Sequence, residues 1–388
     1  MDRIELSVPN LDYDILENVK DCIESGWVST GGKFILEFED RIKEYVKSPG
    51  AKSVQSGTAG LHLALRVLGV DQEDEIITPT LTFIASSNVI KYRRAEPVFM
   101  DCGEDLNIDP DKIEDFLENE CYFDGEVVIN NKSKRQVRGI LVVHVFGNPA
   151  DMERIMDIAN RYNLFVLEDA CQALGSQYTS GKYKDKYCGT IGNLGVYSFN
   201  ANKIITTGSG GIVVSDNLEY LKKINFLGVQ AKSDPWRYKH NEIGYNYRLT
   251  NISAAFGISQ MRRIDDFIET KKKNYNIYKE RIGEIEGLSI LDFNEGTRPN
   301  YWFYSLYIED EYPLEREELM QKLDQKGIGS RPIWGLNHLQ KPYEHNQAYK
   351  IEKANIFSKH ILNIPCSSKL KEEEVHAVCD VLEEISKI

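Results

Sequence analysis

The sequence predicts an α/β fold: a large domain with a mostly parallel mixed sheet sandwiched by helices, and a smaller C-terminal α+β domain. Three observations carry that expectation. Between about residues 50 and 215, short apolar runs alternate with amphipathic helical stretches, the pattern of successive βαβ units. The apolar runs are continuous rather than alternating, as in strands covered on both faces. Past about residue 250 the texture changes to a long helical stretch with a charged middle, followed by a mixture of strands and helices. At 388 residues the chain is also longer than one core usually serves. The expected division is 1–250 for the large domain, and 251–388 for a connecting helix and the small domain.

Taken in order, the predicted strands are 75–77, 97–100, 139–145, 164–167 and 211–214, with helical patterns at 61–68, 113–117 and 152–162 between them. Residues 127–137 have apolar ends around a polar, basic tip and read as a hairpin inserted before the next core strand. The stretch 252–282 reads as one long helix leading out of the large domain. Beyond it, 302–308 reads as a strand and 315–326 and 372–386 as helices.

Composition narrows the class of protein. Hydrophobic residues make up 41% and charged residues 28%, an ordinary globular balance. The net charge of −13, from 47 basic and 60 acidic side chains, argues against a nucleic-acid surface. A local anion pocket is still compatible with it. The seven cysteines are scattered without a CxxC pair, so reduced thiols are expected and no metal site is. The N-terminal residues lack the apolar core of a signal peptide, and no apolar run approaches the ~20 residues that span a bilayer. A cytoplasmic protein with no membrane partner is the expectation.

Chemistry enters with Lys203. It stands between a short apolar strand and a glycine-rich turn, with no charged neighbour from Gly192 to Val214. Asp169 ends another apolar strand. A lysine that forms a Schiff base and an aspartate that partners a pyridinium nitrogen are the two protein groups pyridoxal phosphate most needs. Ser56-Gly57-Thr58-Ala59-Gly60 opens a helical stretch and presents backbone N–H groups suited to an anion. Each feature has a plain structural alternative. The Ser56 turn reads equally as an N-cap, Phe83 as a core aromatic, and Asp169 as an N-cap completed by Gln172 in a capping box.

Read together, five ordered motifs resemble the sugar-nucleotide aminotransferases of the DegT/StrS family, fold-type I pyridoxal-phosphate enzymes. They are Ser56-Gly57-Thr58-Ala59, Glu168-Asp169-Ala170-x-Gln172, Ser198-Phe199-x-x-x-Lys203, Thr206-Thr207-Gly208-x-Gly210-Gly211 and Gly244-Tyr245-Asn246-Tyr247-Arg248. The resemblance runs from Ser7-Val8-Pro9-Asn10 to Leu362-Asn363-Ile364-Pro365. It implies that Lys203 is the Schiff-base lysine and proton shuttle, and that Asp169 keeps the ring nitrogen protonated. Gln172 is then expected at the ring oxygen and Phe83 on the ring face. Ser56, Gly57, Thr58 and Ser198 are expected at the phosphate. The resemblance also implies a homodimer with shared active sites, in which Asn246 of a second subunit completes the phosphate site. Gly60 departs from the commoner alanine and is expected to weaken its helix slightly.

Within the family, Gln230-Ala231-Lys232-x-Asp234-Pro235, His240-Asn241-Glu242-Ile243-Gly244, His144-Val145-Phe146-Gly147-Asn148-Pro149 and Ser25-Gly26-Trp27-Val28-Ser29-Thr30 resemble the branch serving legionaminic acid and bacillosamine-like sugars. That branch implies transfer of the amino group of L-glutamate to the C4 ketone of a nucleotide-linked 2-acetamido-4-keto-2,6-dideoxyhexose, in a UDP-sugar pathway of surface-polysaccharide biosynthesis. Lys232, Arg237, His240 and Arg331 are the candidate substrate contacts. Three alternatives stand beside it. One is the same reaction on another 4-keto sugar, such as the perosamine-type GDP-4-keto-6-deoxymannose. A second is a sugar deoxygenating dehydratase, against which Lys203 argues because histidine replaces the lysine in such relatives. The third is a catalytically silent homologue.

Overall fold

The computed structural model describes residues 3–234 and 236–387; Pro235, part of one branch motif, lies outside the described residues. A ten-stranded mixed sheet forms the centre. Its spatial order is Gly50–Val54, Gly211–Ser215, Leu194–Ser198, Phe165–Asp169, Gln136–Val143, Asp74–Pro79, Glu96–Met100 and Ala348–Tyr349. The first two pairings are antiparallel and the rest of that path is parallel. Burial explains the continuous apolar strands: Ile140, Leu141, Val142 and Val143 are all 0% exposed, because helices cover both faces. Odd and even positions feed two different cores. Leu141, Val143 and Leu167 face one, and Ile140, Val142 and Val166 the other.

The predicted 127–137 hairpin is present. Val128 and Ile129 pair antiparallel with Val137 and Gln136, and Cys121–Phe123 adds a further strand outside them. The strand expected at 139–145 is displaced to Gln136–Val143. It stops where Phe146 takes a left-handed backbone (φ 55°) and turns the chain.

The single helix expected over 252–282 is two helices, Asn251–Met261 and Ile264–Ile282. Arg263 (φ −119°, ψ 5°) breaks the helical path between them. The break suits their different partners. The first helix packs under Asp14–Ser25 and Lys33–Tyr45, the second against Glu372–Ile385 in the C-terminal part. That part holds a four-stranded antiparallel sheet in the order Leu288–Ile290, Tyr304–Ile308, Ile361–Ile364, Arg331–Pro332.

The two parts are laced together. Ala348–Tyr349 forms the edge strand of the large sheet beside Glu96–Met100. The carboxylate of Asp101, fully buried, accepts the backbone N–H groups of Glu352, Lys353 and Ala354 at 2.8–2.9 Å and so caps helix Lys353–His360. The N-terminal segment crosses the other way. Ile4 bridges to Ile328, and Leu6 O accepts from Cys366 N at 2.8 Å. No helix among the described residues is long and apolar enough to cross a membrane. None of the seven cysteines is in a disulfide.

Candidate active site

The C-terminal ends of the parallel strands open into a cavity of about 810 Å³, walled on its far side by residues of the C-terminal part. Open α/β sheets place their ligands at this end. Ser56, Gly57, Thr58, Phe83, Asp169, Gln172, Ser198, Lys203 and Arg331 all line it. Lys232, Arg237, His240 and Asn246 do not.

On the floor, helix Gly57–Val67 begins directly under the cavity. Ser56 is its N-cap in extended conformation, and its Oγ accepts from Ala59 N at 3.1 Å. The N-cap alternative for Ser56 is therefore correct as far as it goes. It leaves the first N–H groups of the helix without intrahelical partners, which is what an anion site requires. Glycine at 57 permits close approach: a Cβ there would stand 2.6 Å from Cys171 Sγ and 2.9 Å from Ser198 Cβ. Gly60 has its own reason, since a Cβ would stand 2.8 Å from Val196 Cγ1 on the sheet below. Close helix–sheet packing offsets the lower helix propensity of glycine.

Asp169 ends its strand only 4% exposed. No helix follows it, so the capping-box reading with Gln172 is overturned: residues 170–176 form turns. Its Oδ1 accepts Cys171 N at 3.1 Å and its Oδ2 accepts the buried Ser86 hydroxyl at 2.6 Å. Gln172 Oε1 accepts the Phe146 N–H at 2.8 Å. A backbone N–H can only donate, so the side-chain amide orientation is set and Nε2 remains as the donor of this cavity-lining residue.

Behind Asp169, Glu168 is fully buried and accepts the N–H groups of Gly189, Ile191 and Gly192 as well as His144 Nε2. His144 Nδ1 accepts the Ala150 N–H at 3.1 Å, so its ring carries one proton, on Nε2. These contacts fix the strand end that presents Asp169.

Lys203 follows the strand Leu194–Ser198 through a short turn, with its N–H donating to Asn200 O at 3.0 Å. Desolvation lowers the pKa of its amine to about 8, against weaker opposing attraction to Cys171 and Asp169. Its Nζ lies 3.7 Å from the centroid of the Trp302 ring. Phe83 is 54% exposed at the cavity mouth, where a core aromatic would not be. Arg331 lines the cavity from the small sheet and forms no ion pair among the described residues.

The other candidate substrate contacts lie outside this cavity, Lys232 and His240 on the antiparallel pair Lys232–Asp234 and Lys239–His240, and Arg237 in a turn between those strands. Arg237 pairs with Asp234 at 2.8 Å, Lys232 Nζ lies 4.7 Å from the Tyr238 ring, and His240 Nδ1 meets Gln230 O at 2.7 Å. Asn246 is exposed.

Residues that sequence reasoning passed over complete the walls. Phe146, Trp302, Phe303 and Trp334 form an aromatic wall, with Phe146 and Trp334 centroids 4.7 Å apart. Asn300, fully buried, donates Nδ2 to Gln172 O and Leu174 O at 2.9 and 3.0 Å and accepts Trp302 N at 3.0 Å. The run Asn300-Tyr301-Trp302-Phe303 carries a signal in its aromatic density. Ser86 carries none.

The donor set fits pyridoxal phosphate. The glycine cradle at a helix N-terminus suits its phosphate, and the paired Asp169 carboxylate suits a charged ring nitrogen. The amine held partly neutral suits its carbonyl carbon.

Comparison with known proteins gives the same direction. Residues 9–383 match the model of the DegT/DnrJ/EryC1/StrS aminotransferase family. The chain is 37% identical to a GDP-perosamine synthase of Escherichia coli O157:H7, over 99% of each chain. It is 32% identical to a putative pyridoxal phosphate-dependent aminotransferase, EpsN, of Bacillus subtilis, covering 98% of this chain and 96% of that one. It is 30% identical to a Campylobacter jejuni UDP-4-amino-4,6-dideoxy-N-acetyl-beta-L-altrosamine transaminase, with the same coverage. Among solved structures, the sugar aminotransferase CalS13 of Micromonospora echinospora superposes with a TM-score of 0.85 at 26% identity, covering 98% of this chain and 99% of that one.

Proposed function

The chain belongs to the DegT/DnrJ/EryC1/StrS aminotransferase family, and from that premise we propose that it transfers the amino group of L-glutamate to the C4 ketone of a nucleotide-linked 4-keto-6-deoxyhexose. The observation that carries this reading is the meeting of Lys203, Asp169 and the Gly57 cradle in one cavity. Its cofactor is pyridoxal 5′-phosphate, which supplies an electrophilic carbon for amines and an electron sink for the carbanion left when a substrate carbon loses its proton.

The protein's own groups have separable tasks. The N–H groups of Gly57 and Thr58 and the hydroxyls of Ser56 and Ser198 hold the phosphate. Asp169, which accepts the Ser86 hydroxyl and the Cys171 N–H, balances positive charge at the ring nitrogen. Gln172 Nε2 donates to the ring oxygen, and Phe83 covers a ring face. Lys203 Nζ takes a proton from Cα of glutamate and later delivers one at C4 of the sugar. An amine with a pKa of about 8 is suited to both directions near neutral pH. The aromatic wall excludes water, and Arg331 is the cation placed for the anionic part of the substrate.

Asn246 lies on the surface, away from its own protomer's cavity. We assign it to the phosphate site of a second copy, which makes the active unit a two-fold dimer. Lys232, Arg237 and His240, equally outside the cavity, are assigned to the substrate of that neighbouring site.

For the sugar, the first reading is GDP-4-keto-6-deoxymannose, supported by the 37% identity to a GDP-perosamine synthase. The UDP-linked 2-acetamido-4-keto sugar expected from the branch motifs is the second, supported by the UDP-sugar transaminase relatives at 30–31%. A coupled amination assay with glutamate over both 4-keto sugar nucleotides tests the proposal, with product mass as the readout. No aminated product from either sugar would overturn it.

A further inference from the structure

Trp302 touches the amine of Lys203, and beyond its place in the aromatic wall the scheme above gives it no part in handling that amine. The Nζ lies 3.7 Å from the indole centroid, well within the ~6 Å at which a cation is drawn to the negative face of a ring. We propose that Trp302 is a positioning residue whose indole face holds the free ammonium form of Lys203 whenever that amine is not covalently engaged. The proposal rests on Lys203 being the reacting amine.

The indole is fixed before the amine arrives. Its Nε1–H donates at 2.6 Å to the carbonyl of Asn202, the residue preceding the lysine. Its backbone N–H donates to the buried Asn300 Oδ1 at 3.0 Å. Its ring packs beside Phe303 at 4.3 Å and Phe146 at 6.1 Å, and the residue is only 4% exposed. The ring therefore cannot follow the amine; the flexible lysine stem moves across a stationary surface.

The choice of an aromatic face over a carboxylate has a chemical sense. Asp169 attracts the amine only through space, and desolvation outweighs that attraction. A direct ion pair would hold the proton on nitrogen and disable it as a base. An indole face returns only part of the lost hydration, so the proton is kept loosely and the amine stays aimed.

The test uses the full-length protein freed of cofactor with hydroxylamine, its fold checked by circular dichroism. Brief pulses of acetic anhydride across a pH series label lysines, and mass spectrometry follows the Lys203 peptide. For the unaltered protein the labelling midpoint is expected near pH 8. Trp302→Leu, which removes the π face, should lower the midpoint by about one pH unit, and Trp302→Phe by about half as much. Other lysines in the same samples should keep their midpoints. A Lys203 midpoint that stays put or rises in a folded variant overturns the proposal. Should Trp302→Leu fail to fold, the sign of the Trp302→Phe shift decides alone. Turnover by Lys203→Ala is a separate measurement: if retained, it removes the assigned reaction, whereas the labelling midpoint does not depend on turnover.

Discussion

Replacing Asn300 by alanine should cost the protein both stability and cofactor affinity. The side chain is fully buried and makes three hydrogen bonds, two donated to the carbonyls of Gln172 and Leu174 and one accepted from Trp302 N. Alanine leaves these partners without their amide. An unpaired buried polar group costs about 1–3 kcal/mol, and neighbouring losses share relaxation, so about 3–5 kcal/mol is expected rather than the full sum. The same bonds hold the Gln172 turn on one side of the cavity and Trp302 on the other. Loosening them should weaken pyridoxal phosphate binding by roughly tenfold or more, since about 1.4 kcal/mol corresponds to a factor of ten. Urea unfolding of the cofactor-free protein measures the first effect, and fluorescence titration with pyridoxal phosphate the second. A variant within about 0.5 kcal/mol of the parent, with unchanged affinity, would refute the assignment of Asn300 as the link between the two walls.

Other substitutions probe the remaining parts. Gly57→Ala places a Cβ 2.6 Å from Cys171 Sγ and should weaken cofactor binding by about tenfold or more, read by equilibrium dialysis. Turnover should rise with pH through about 8, because the Lys203 amine accepts a proton only when neutral; a flat steady-state profile from pH 6.5 to 9 would contradict its assignment as the base. Mixing inactive Lys203→Ala and Asn246→Asp proteins under subunit exchange should restore about a quarter of wild-type activity, because half the dimers then carry one intact site. Restoration is excluded if the sites are not shared. His62 is 6% exposed, and desolvation, aided by Arg93 and Arg66, lowers its pKa to about 4, below the ~6.5 of an unfolded chain. Its contribution is therefore intact above pH 6.5 and is lost as pH falls towards 4. His62→Leu should remove up to about 3 kcal/mol of that acid sensitivity in denaturation curves at pH 4 and 7.

Legibility followed the range of the interaction. Strands buried on both faces announced themselves, because Ile140 to Val143 must all be apolar to lie under two helical layers. The residues that meet in the cavity were visible as short motifs, such as the one that sets a glycine at a helix start. Asp169 illustrates where local reading stops. Asp169-x-x-Gln172 has the form of a capping box, yet Gln172 is taken by Phe146 N, 26 residues away in sequence. Ser86 and Asn300 were invisible for the same reason, since their partners lie 83 and up to 128 residues away. The break at Arg263 was hidden by a helical pattern that continues through it, and only the different partners of the two helices reveal it. Lys232, Arg237, His240 and Asn246 are recognisable in sequence but lie outside the cavity of their own protomer.

The crossing of the N-terminal segment has a bearing on how the molecule is made. Leu6 reaches the cavity wall, and its carbonyl is held by Cys366, 360 residues later. At synthesis rates of about 5–20 residues per second, roughly 20–70 s separate the two partners on the ribosome. Until residues 327–329 are made the apolar stretch around Ile4 has no native strand partner, and until Cys366 follows the Leu6 carbonyl is unheld and the cavity has an open side. Assembly of the site is thus among the last events of biogenesis. Chains arrested shortly before residue 366 should hold a formed central sheet and still fail to retain pyridoxal phosphate.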